Sequence, residues 1–151
     1  MSESLIKPLI NEAIKSSMKS GDKENTTTLR MAMSEIKKEE IDKKSELNDQ
    51  EVTAILQKMI KQRKDSSNQF SSAGRKELAE KEDREIKSLS EFLPEQLSEA
   101  EIEKIVSETI SDLNAHSPQD IGKVMGSLKP KLQGKADMSL VSQTVKQNLS
   151  E

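Results

Sequence analysis

Four lysines stand close together near the C-terminal end of the chain: Lys123, Lys129, Lys131 and Lys135. Within residues 120–137, which contain these lysines, carboxylates occur only at the two ends, as Asp120 and Asp137. Ammonium groups without neighbouring carboxylates can contact nucleic-acid phosphates, because such contacts need local positive charge rather than a positive protein. We therefore predict a nucleic-acid-binding surface formed by these lysines. The alternative, solvated lysines on the surface of a small helical domain, stays open.

The sign of the charge changes along this part of the sequence. Residues 98–120 carry six acidic residues and one basic residue, whereas residues 121–151 carry five basic and two acidic residues. The whole chain has a formal net charge of −3, so it has no general attraction to nucleic acid. Aromatic residues make up only 1% of the chain, which disfavours stacking on single-stranded bases. A folded RNA recognised through its shape and phosphates is therefore the favoured ligand.

Catalytic and metal-binding candidates are few. The chain has no cysteine, and His116 is its only histidine, in a segment predicted to be an interhelical loop. We interpret His116 as a solvated or capping residue. Acidic residues cluster at 39–42 and 80–85, but each cluster is interleaved with Lys or Arg, so both are interpreted as charged helix faces. We predict no catalytic residue, no metal and no cofactor.

A second basic group lies farther back in the sequence: Lys58, Lys61, Arg63 and Lys64. Its residues lie at the end of a predicted amphipathic helix. We rank this group below the C-terminal lysines as a candidate binding surface, since the latter coincide with the change in the sign of the charge.

The elements that carry the four lysines can be predicted from their neighbours. Ile121, Val124, Met125 and Leu128 form one apolar stripe at helical spacing, which predicts a short amphipathic helix. Pro130 is predicted to end it, because proline lacks an amide hydrogen and its ring collides with the preceding turn. A glycine-containing loop follows. We expect a further helix to begin after it, capped by the aspartate at position 137.

Similar apolar stripes recur along the whole chain, and no alternating strand pattern occurs. The predicted fold is all-α: an N-terminal bundle of about four helices over residues 1–94 and a small three-helix domain over residues 95–151. Two capping boxes support these elements, Asn48 with Glu51 and Ser98 with Glu101. The domain boundary falls in the segment around Pro94, where a new helix signal begins.

The same features predict the protein's surroundings. The chain has no long apolar run, so no membrane-spanning segment is expected. Its first residues lack the basic and apolar regions of a secretion signal. The absence of cysteine fits a reducing compartment. A cytoplasmic protein is therefore predicted.

Several short motifs, in their order and spacing, resemble the YqeY-like family over about residues 5–149. They are Leu29–Arg30, Ile36–Asp42, Lys61–Arg63, Asp65–Ser66, Phe70, Ala73–Arg75, Leu93–Ser98, Gly122–Met125 and Gly134–Asp137. The resemblance implies a helical N-terminal domain and a three-helix tail. That tail is similar to the tail of the B subunit of glutamine-dependent aspartyl/glutamyl-tRNA amidotransferase, which helps to hold tRNA. The resemblance therefore implies that tRNA contacts Lys123, Lys129, Lys131 and Lys135.

Three functions follow as hypotheses. The first is a tRNA-binding or amidotransferase-associated accessory protein without chemistry of its own, whose partner is tRNA or an amidotransferase or translation component. The second is a protein-interaction module without nucleic acid, based on methionines Met33, Met59 and Met125 on the apolar stripes. The third is carbon–nitrogen ligase activity with glutamine as amide donor, only as part of a larger complex. The sequence leaves the oligomeric state and the orientation of the domains open.

Overall fold

The computed structural model describes residues 5–150, and within this range the chain forms seven α-helices, one short 3₁₀ helix and no β-strand. The predicted all-α fold is therefore confirmed. The helices are α1 (Ile6–Ser20), α2 (Lys23–Lys43), α3 (Asp49–Ser72), α4 (Lys76–Ser90), α5 (Glu99–Asp112), α6 (Ile121–Leu132) and α7 (Met138–Leu149), with the 3₁₀ helix (Pro118–Asp120) just before α6.

The chain divides into two compact units, which we call the N-terminal unit (Met1–Leu93) and the C-terminal unit (Pro94–Glu151). Each unit has its own apolar core. In the N-terminal unit, α3 and α4 form a helical pair, and α2 packs against both of them and against α1. The largest fully buried side chains of this unit are Ile10, Leu29, Ile36, Val52, Leu56 and Leu89.

The C-terminal unit consists of α5, α6 and α7 packed around a core that all three helices supply. Its helix starts follow the predicted local signals. The side chain of Ser98 accepts a hydrogen bond from the Glu101 N–H at 3.2 Å, and the Glu101 side chain accepts one from the Ser98 N–H, which completes the capping box. Asp137 accepts a hydrogen bond from the Ser139 N–H at 2.9 Å and caps α7. Both predicted caps are confirmed.

The prediction that Pro130 ends α6 is wrong, because the helix continues through it to Leu132. Proline removes one hydrogen bond, which its own amide would have donated to the carbonyl of Gly126, four residues earlier. Gly126 and Pro130 are both exposed, so water can satisfy that carbonyl. On the opposite side, Val124, Leu128 and Leu132 are fully buried, and this apolar stripe stabilises the helix across the proline.

No helix within residues 5–150 combines the length and the apolar character that a membrane crossing requires.

Candidate nucleic-acid interface

The four lysines predicted to bind nucleic acid all lie in the C-terminal unit and are all exposed. Lys123, Lys129 and Lys131 belong to α6, and Lys135 lies in the loop between α6 and α7. Within residues 5–150, none of the four takes part in an ion pair. We call these residues the α6 lysine surface, and their ammonium groups are available to an external anion.

The α6 lysine surface is an arc rather than a single stripe. At about 100° per residue, Lys129 and Lys131 project roughly 200° apart when the angle is measured across the exposed face of α6, and the buried stripe of the helix occupies the remaining arc between them. On this exposed side Lys123 lies between them in direction, about 9 Å from Lys129 and about 12 Å from Lys131 along the axis, at a rise of about 1.5 Å per residue. A ligand that contacts all three must therefore curve around the exposed face of α6, as the phosphate backbone of a folded RNA can.

A purely structural role also exists for part of this arc. Lys129 and Lys131 lie in the last turn of α6, where unsatisfied carbonyl groups give the helix end a partial negative charge. Cations there stabilise the helix by about 0.3–1 kcal/mol each. The ammonium groups remain in solvent in this role, so they can still contact an external anion.

The loop that carries Lys135 is held tightly by backbone contacts. Gly134 adopts a φ of 84°, and Gly134 and Ala136 are both buried on either side of the exposed lysine. The Lys135 N–H donates to the Leu132 carbonyl at 2.9 Å, and the Lys135 carbonyl accepts from the Leu97 N–H at 2.9 Å. The position of the lysine backbone is thus fixed while its side chain reaches solvent.

The start of α6 is also fixed, by a carboxylate. The backbone N–H groups of His116 and Ser117 donate to Asp120 at 2.9 and 3.4 Å, and these two hydrogen bonds, with a further contribution from Lys123, lower the pKa of the Asp120 carboxyl. The side chain of His116 is exposed. His116 thus contributes its backbone N–H to the turn before α6.

The second basic group has a different structure from the α6 lysine surface. Arg63 is 9% exposed, and its Nε donates to Glu85 at 3.3 Å while its Nη1 donates to the Met59 carbonyl at 3.2 Å. Lys58 and Lys64 are exposed, without an ion pair among the described residues. The guanidinium of Arg63 is therefore buried inside the N-terminal unit. In the second basic group, only the lysines face solvent.

A groove beside Arg63 was not predicted from the sequence. It comprises two adjoining depressions of about 620 and 550 Å³ between α2, α3 and α4, and Arg63 lines both of them. Burial, followed by repulsion from Glu85, raises the pKa of the nearby Glu82 carboxyl. An anion would therefore meet two carboxylates beside the guanidinium, so the groove is a poor site for phosphate. Nothing in the sequence pattern signals it, because its residues come from three helices.

The acidic clusters interpreted as charged helix faces form specific contacts. Glu40 accepts a hydrogen bond from Lys7 at 2.5 Å, and Asp83 accepts one from the hydroxyl of Ser67 at 2.7 Å. Within residues 5–150, no group of three or more His, Cys, Asp or Glu side chains is arranged to hold a metal ion.

The methionines on which the protein-interaction hypothesis rested lie mainly in the cores. Met33 and Met59 are 8% and 5% exposed, and Met125 is half-buried against the core of the C-terminal unit. Among residues 5–150, the exposed methionines are instead Met18 and Met31. The predicted methionines therefore fill space inside the units, and they give no support to an adaptable protein-binding surface.

Comparison with known proteins places these features in a wider group. A family described as Yqey-like protein matches residues 7–149, nearly the whole chain. An uncharacterised protein of Schizosaccharomyces pombe is 39% identical over 93 residues, which cover 62% of this chain and 76% of that protein.

Two further relatives carry the name "Altered inheritance of mitochondria protein 41, mitochondrial". The one from Lachancea thermotolerans is 33% identical over 72% of this chain, and the match spans 60% of its own length. The one from Pyrenophora tritici-repentis is 27% identical over 96% of this chain and 81% of its own length. These names contradict the predicted cytoplasmic location. The absence of cysteine constrains redox chemistry, and it does not identify a compartment.

Proposed function

We propose that this chain, which belongs to the YqeY-like protein family, is an accessory protein that binds tRNA through the α6 lysine surface and has no chemistry of its own. The observation that carries the proposal is that none of the four exposed lysines of this small unit forms an ion pair within the described residues. Resemblance to the amidotransferase tail supplies the class of ligand, a folded tRNA.

The physical basis of the proposed binding is the release of condensed counterions from the RNA. Each lysine that neutralises a phosphate releases cations into solution, so affinity falls as salt rises. Four such contacts predict weak, strongly salt-dependent binding in which the contacts position the protein without reading base sequence. Such binding suits a protein that assists another RNA-handling component, and we propose an amidotransferase or another translation component as that partner.

The mitochondrial names of the relatives lead us to propose a mitochondrial location for this chain as well. Fractionation of the source cells, with an antibody against the chain, is the test. Enrichment in the mitochondrial fraction, protected from added protease, is the expected result. Recovery in the soluble cell fraction alone would remove this part of the proposal.

An electrophoretic mobility shift with total tRNA at 50 and 200 mM salt tests the binding. Lys129→Glu with Lys131→Glu replaces two cations on the two sides of α6. We expect the wild type to shift tRNA at low salt, with affinity about 150-fold lower at high salt when all four lysines contact phosphate. The double variant is expected to shift no tRNA at the same protein concentration.

A matched control comes from the second basic group of the same chain. Lys58→Glu with Lys64→Glu makes an equal change of charge, at two exposed lysines of α3 that form no ion pair in the described structure. This variant should shift tRNA nearly as the wild type does, because global charge acts weakly through salt. The proposal fails if wild-type protein leaves tRNA unshifted at low salt, or if both double variants lose the shift equally.

A further inference from the structure

Lys135 differs from the other lysines of the α6 lysine surface because it lies in a loop. A loop lysine ordinarily loses backbone freedom when it binds a phosphate, and that loss weakens binding. Here the loop is already ordered, since both backbone hydrogen-bonding groups of Lys135 are used, by Leu132 and by Leu97.

Gln96 fixes the turn through its side-chain amide. Its Nε2 donates one hydrogen bond to the carbonyl of Gly134 and another to the carbonyl of Pro94, each at 2.8 Å. The amide thus ties the segment that enters the C-terminal unit to the loop between α6 and α7. The neighbouring backbone contact, from the Leu97 N–H to the Lys135 carbonyl, runs between the same two segments.

The hydrogen bond from Gln96 is accepted by Gly134, the residue at which the loop turns. Gly134 has a φ of 84°, a left-handed conformation that only glycine adopts readily, and the peptide that joins it to Lys135 sets the direction of the lysine. The accepting carbonyl of Gly134 belongs to that peptide. A hydrogen bond from Gln96 therefore holds the orientation of the peptide immediately before Lys135.

We propose that Gln96 is a positioning residue, which holds the 133–136 loop so that Lys135 contacts the same phosphate-bearing ligand as Lys129 and Lys131. The inference rests on the proposed function. It joins residues 93–98 to residues 134–137, two segments that are far apart in the sequence. Gln96 itself needs no contact with the RNA.

The test is a double-mutant cycle on tRNA binding by the full chain. Gln96→Met keeps the length of the side chain and removes both donated hydrogen bonds, whereas Lys135→Gln removes the cation directly. Losing one phosphate contact lowers affinity about fivefold at 0.15 M salt and reduces the slope of log K against log salt by about 0.9. We expect this change from each single variant and no further loss from the double variant.

Gln147→Met is the matched control, since Gln147 is exposed on α7 of the same unit. It should bind tRNA with the wild-type affinity and salt slope. A wild-type slope in Gln96→Met overturns the inference. So does an additional fivefold loss when Lys135→Gln is combined with Gln96→Met, because the two residues would then act independently.

A second measurement separates this inference from the proposed function. Should the wild type bind no tRNA, the proposed function fails, and amide hydrogen exchange then decides whether Gln96 orders the loop. Gln96→Met should speed exchange at the Lys135 and Ala136 amides while leaving the buried Val106 amide of α5 unchanged. Unchanged exchange at Lys135 overturns the positioning role whatever the RNA result.

Discussion

The two units of the molecule differ in how several of their cations are paired. In the N-terminal unit, several cations form ion pairs: Lys7 with Glu40, Lys43 with Glu51, Arg63 with Glu85 and Arg84 with Glu24. In the C-terminal unit, the lysines of α6 and the following loop have no such partner in the described structure. The comparison teaches that a pairing carboxylate removes a cation from a candidate binding surface, whereas the exposed and unpaired Lys58 and Lys64 must be distinguished from the α6 lysine surface by experiment.

The paired carboxylates show the same contrast. Hydrogen bonds from Arg84, Lys7 and Lys43 lower the pKa values of Glu24, Glu40 and Glu51, respectively. An RNA phosphate that approached these cations would have to displace a carboxylate already in place. Exposed pairs contribute little stability, about 0.2–1 kcal/mol each, but they lower the positive potential at the surface.

The largest effect is expected at Arg63, the most buried cation of the N-terminal unit. Arg63→Met leaves the Glu85 carboxylate, whose side chain is 12% exposed, beside Glu82 without its partner. We predict that the free energy of unfolding falls by about 3 kcal/mol, because an uncompensated carboxylate is left in a poorly solvated place. Urea unfolding followed by circular dichroism is the measurement.

The control for Arg63 is its double variant with Glu85→Leu, which removes both charges and should restore most of the lost stability. Binding of tRNA by folded Arg63→Met should match the wild type. A loss of tRNA binding with unchanged stability would break the comparison, since it would make Arg63 a ligand-binding cation.

The next effect is expected in the C-terminal unit, at the proline inside α6. Pro130→Ala restores the amide that can donate to Gly126, while leaving the buried stripe intact. We predict a gain of about 1 kcal/mol, less than the full helix-interior difference of about 3 kcal/mol, because the site is exposed and near the helix end. Thermal unfolding should show a higher Tm. A lower Tm would mean that α6 needs the proline to reach Leu132.

The smallest effect is expected from the pair of Lys7 and Glu40, whose side chains are 20% and 18% exposed. The Lys7 hydrogen bond, and then the Leu47 N–H, lower the folded-state pKa of Glu40 below its ordinary value of 4.5. Its stabilisation is therefore present above about pH 4.5 and is lost as pH falls through the lower folded-state pKa. In the Lys7→Met variant, the free energy of unfolding should therefore fall less on acidification than in the wild type, by up to about 1 kcal/mol.

Urea unfolding of the Lys7→Met variant at pH 7 and at pH 3 measures that difference. Lys15→Met is the control, because the pair of Lys15 with Glu12 is 70% and 73% exposed and lies on the same helix. The control should retain the pH dependence of the wild type. Equal acid sensitivity in Lys7→Met and the wild type would show that Lys7 contributes nothing to the acid response.

Local signals in the sequence predicted much of the fold. The capping boxes at Asn48 and Ser98 each involve residues three positions apart, so the sequence alone specifies them. The apolar stripe of α6 was equally visible, and it was tertiary burial of Leu132 that overrode the local effect of Pro130. A local rule fails where packing from distant helices is stronger than the local preference.

The features of the candidate site also divide into those that the local sequence predicts and those that depend on packing. Lys123, Lys129, Lys131 and Lys135 could be chosen from the sequence because carboxylates are missing around them. The contact of Gln96 with Gly134, at a sequence separation of 38, could not be predicted, since it depends on how the chain enters the C-terminal unit. Burial of Arg63 also depends on α4, which follows it in the sequence.

Lysine footprinting tests the account most directly, because it reports the availability of every ammonium group in one experiment. The full chain is treated with an amine-acetylating reagent at low salt, with and without tRNA, and the extent of modification at each lysine is measured by mass spectrometry. We predict that tRNA protects Lys123, Lys129, Lys131 and Lys135 and leaves Lys58 and Lys64 as reactive as before. Protection of Lys58 and Lys64 instead, or equal reactivity of all six lysines with and without tRNA, would contradict it.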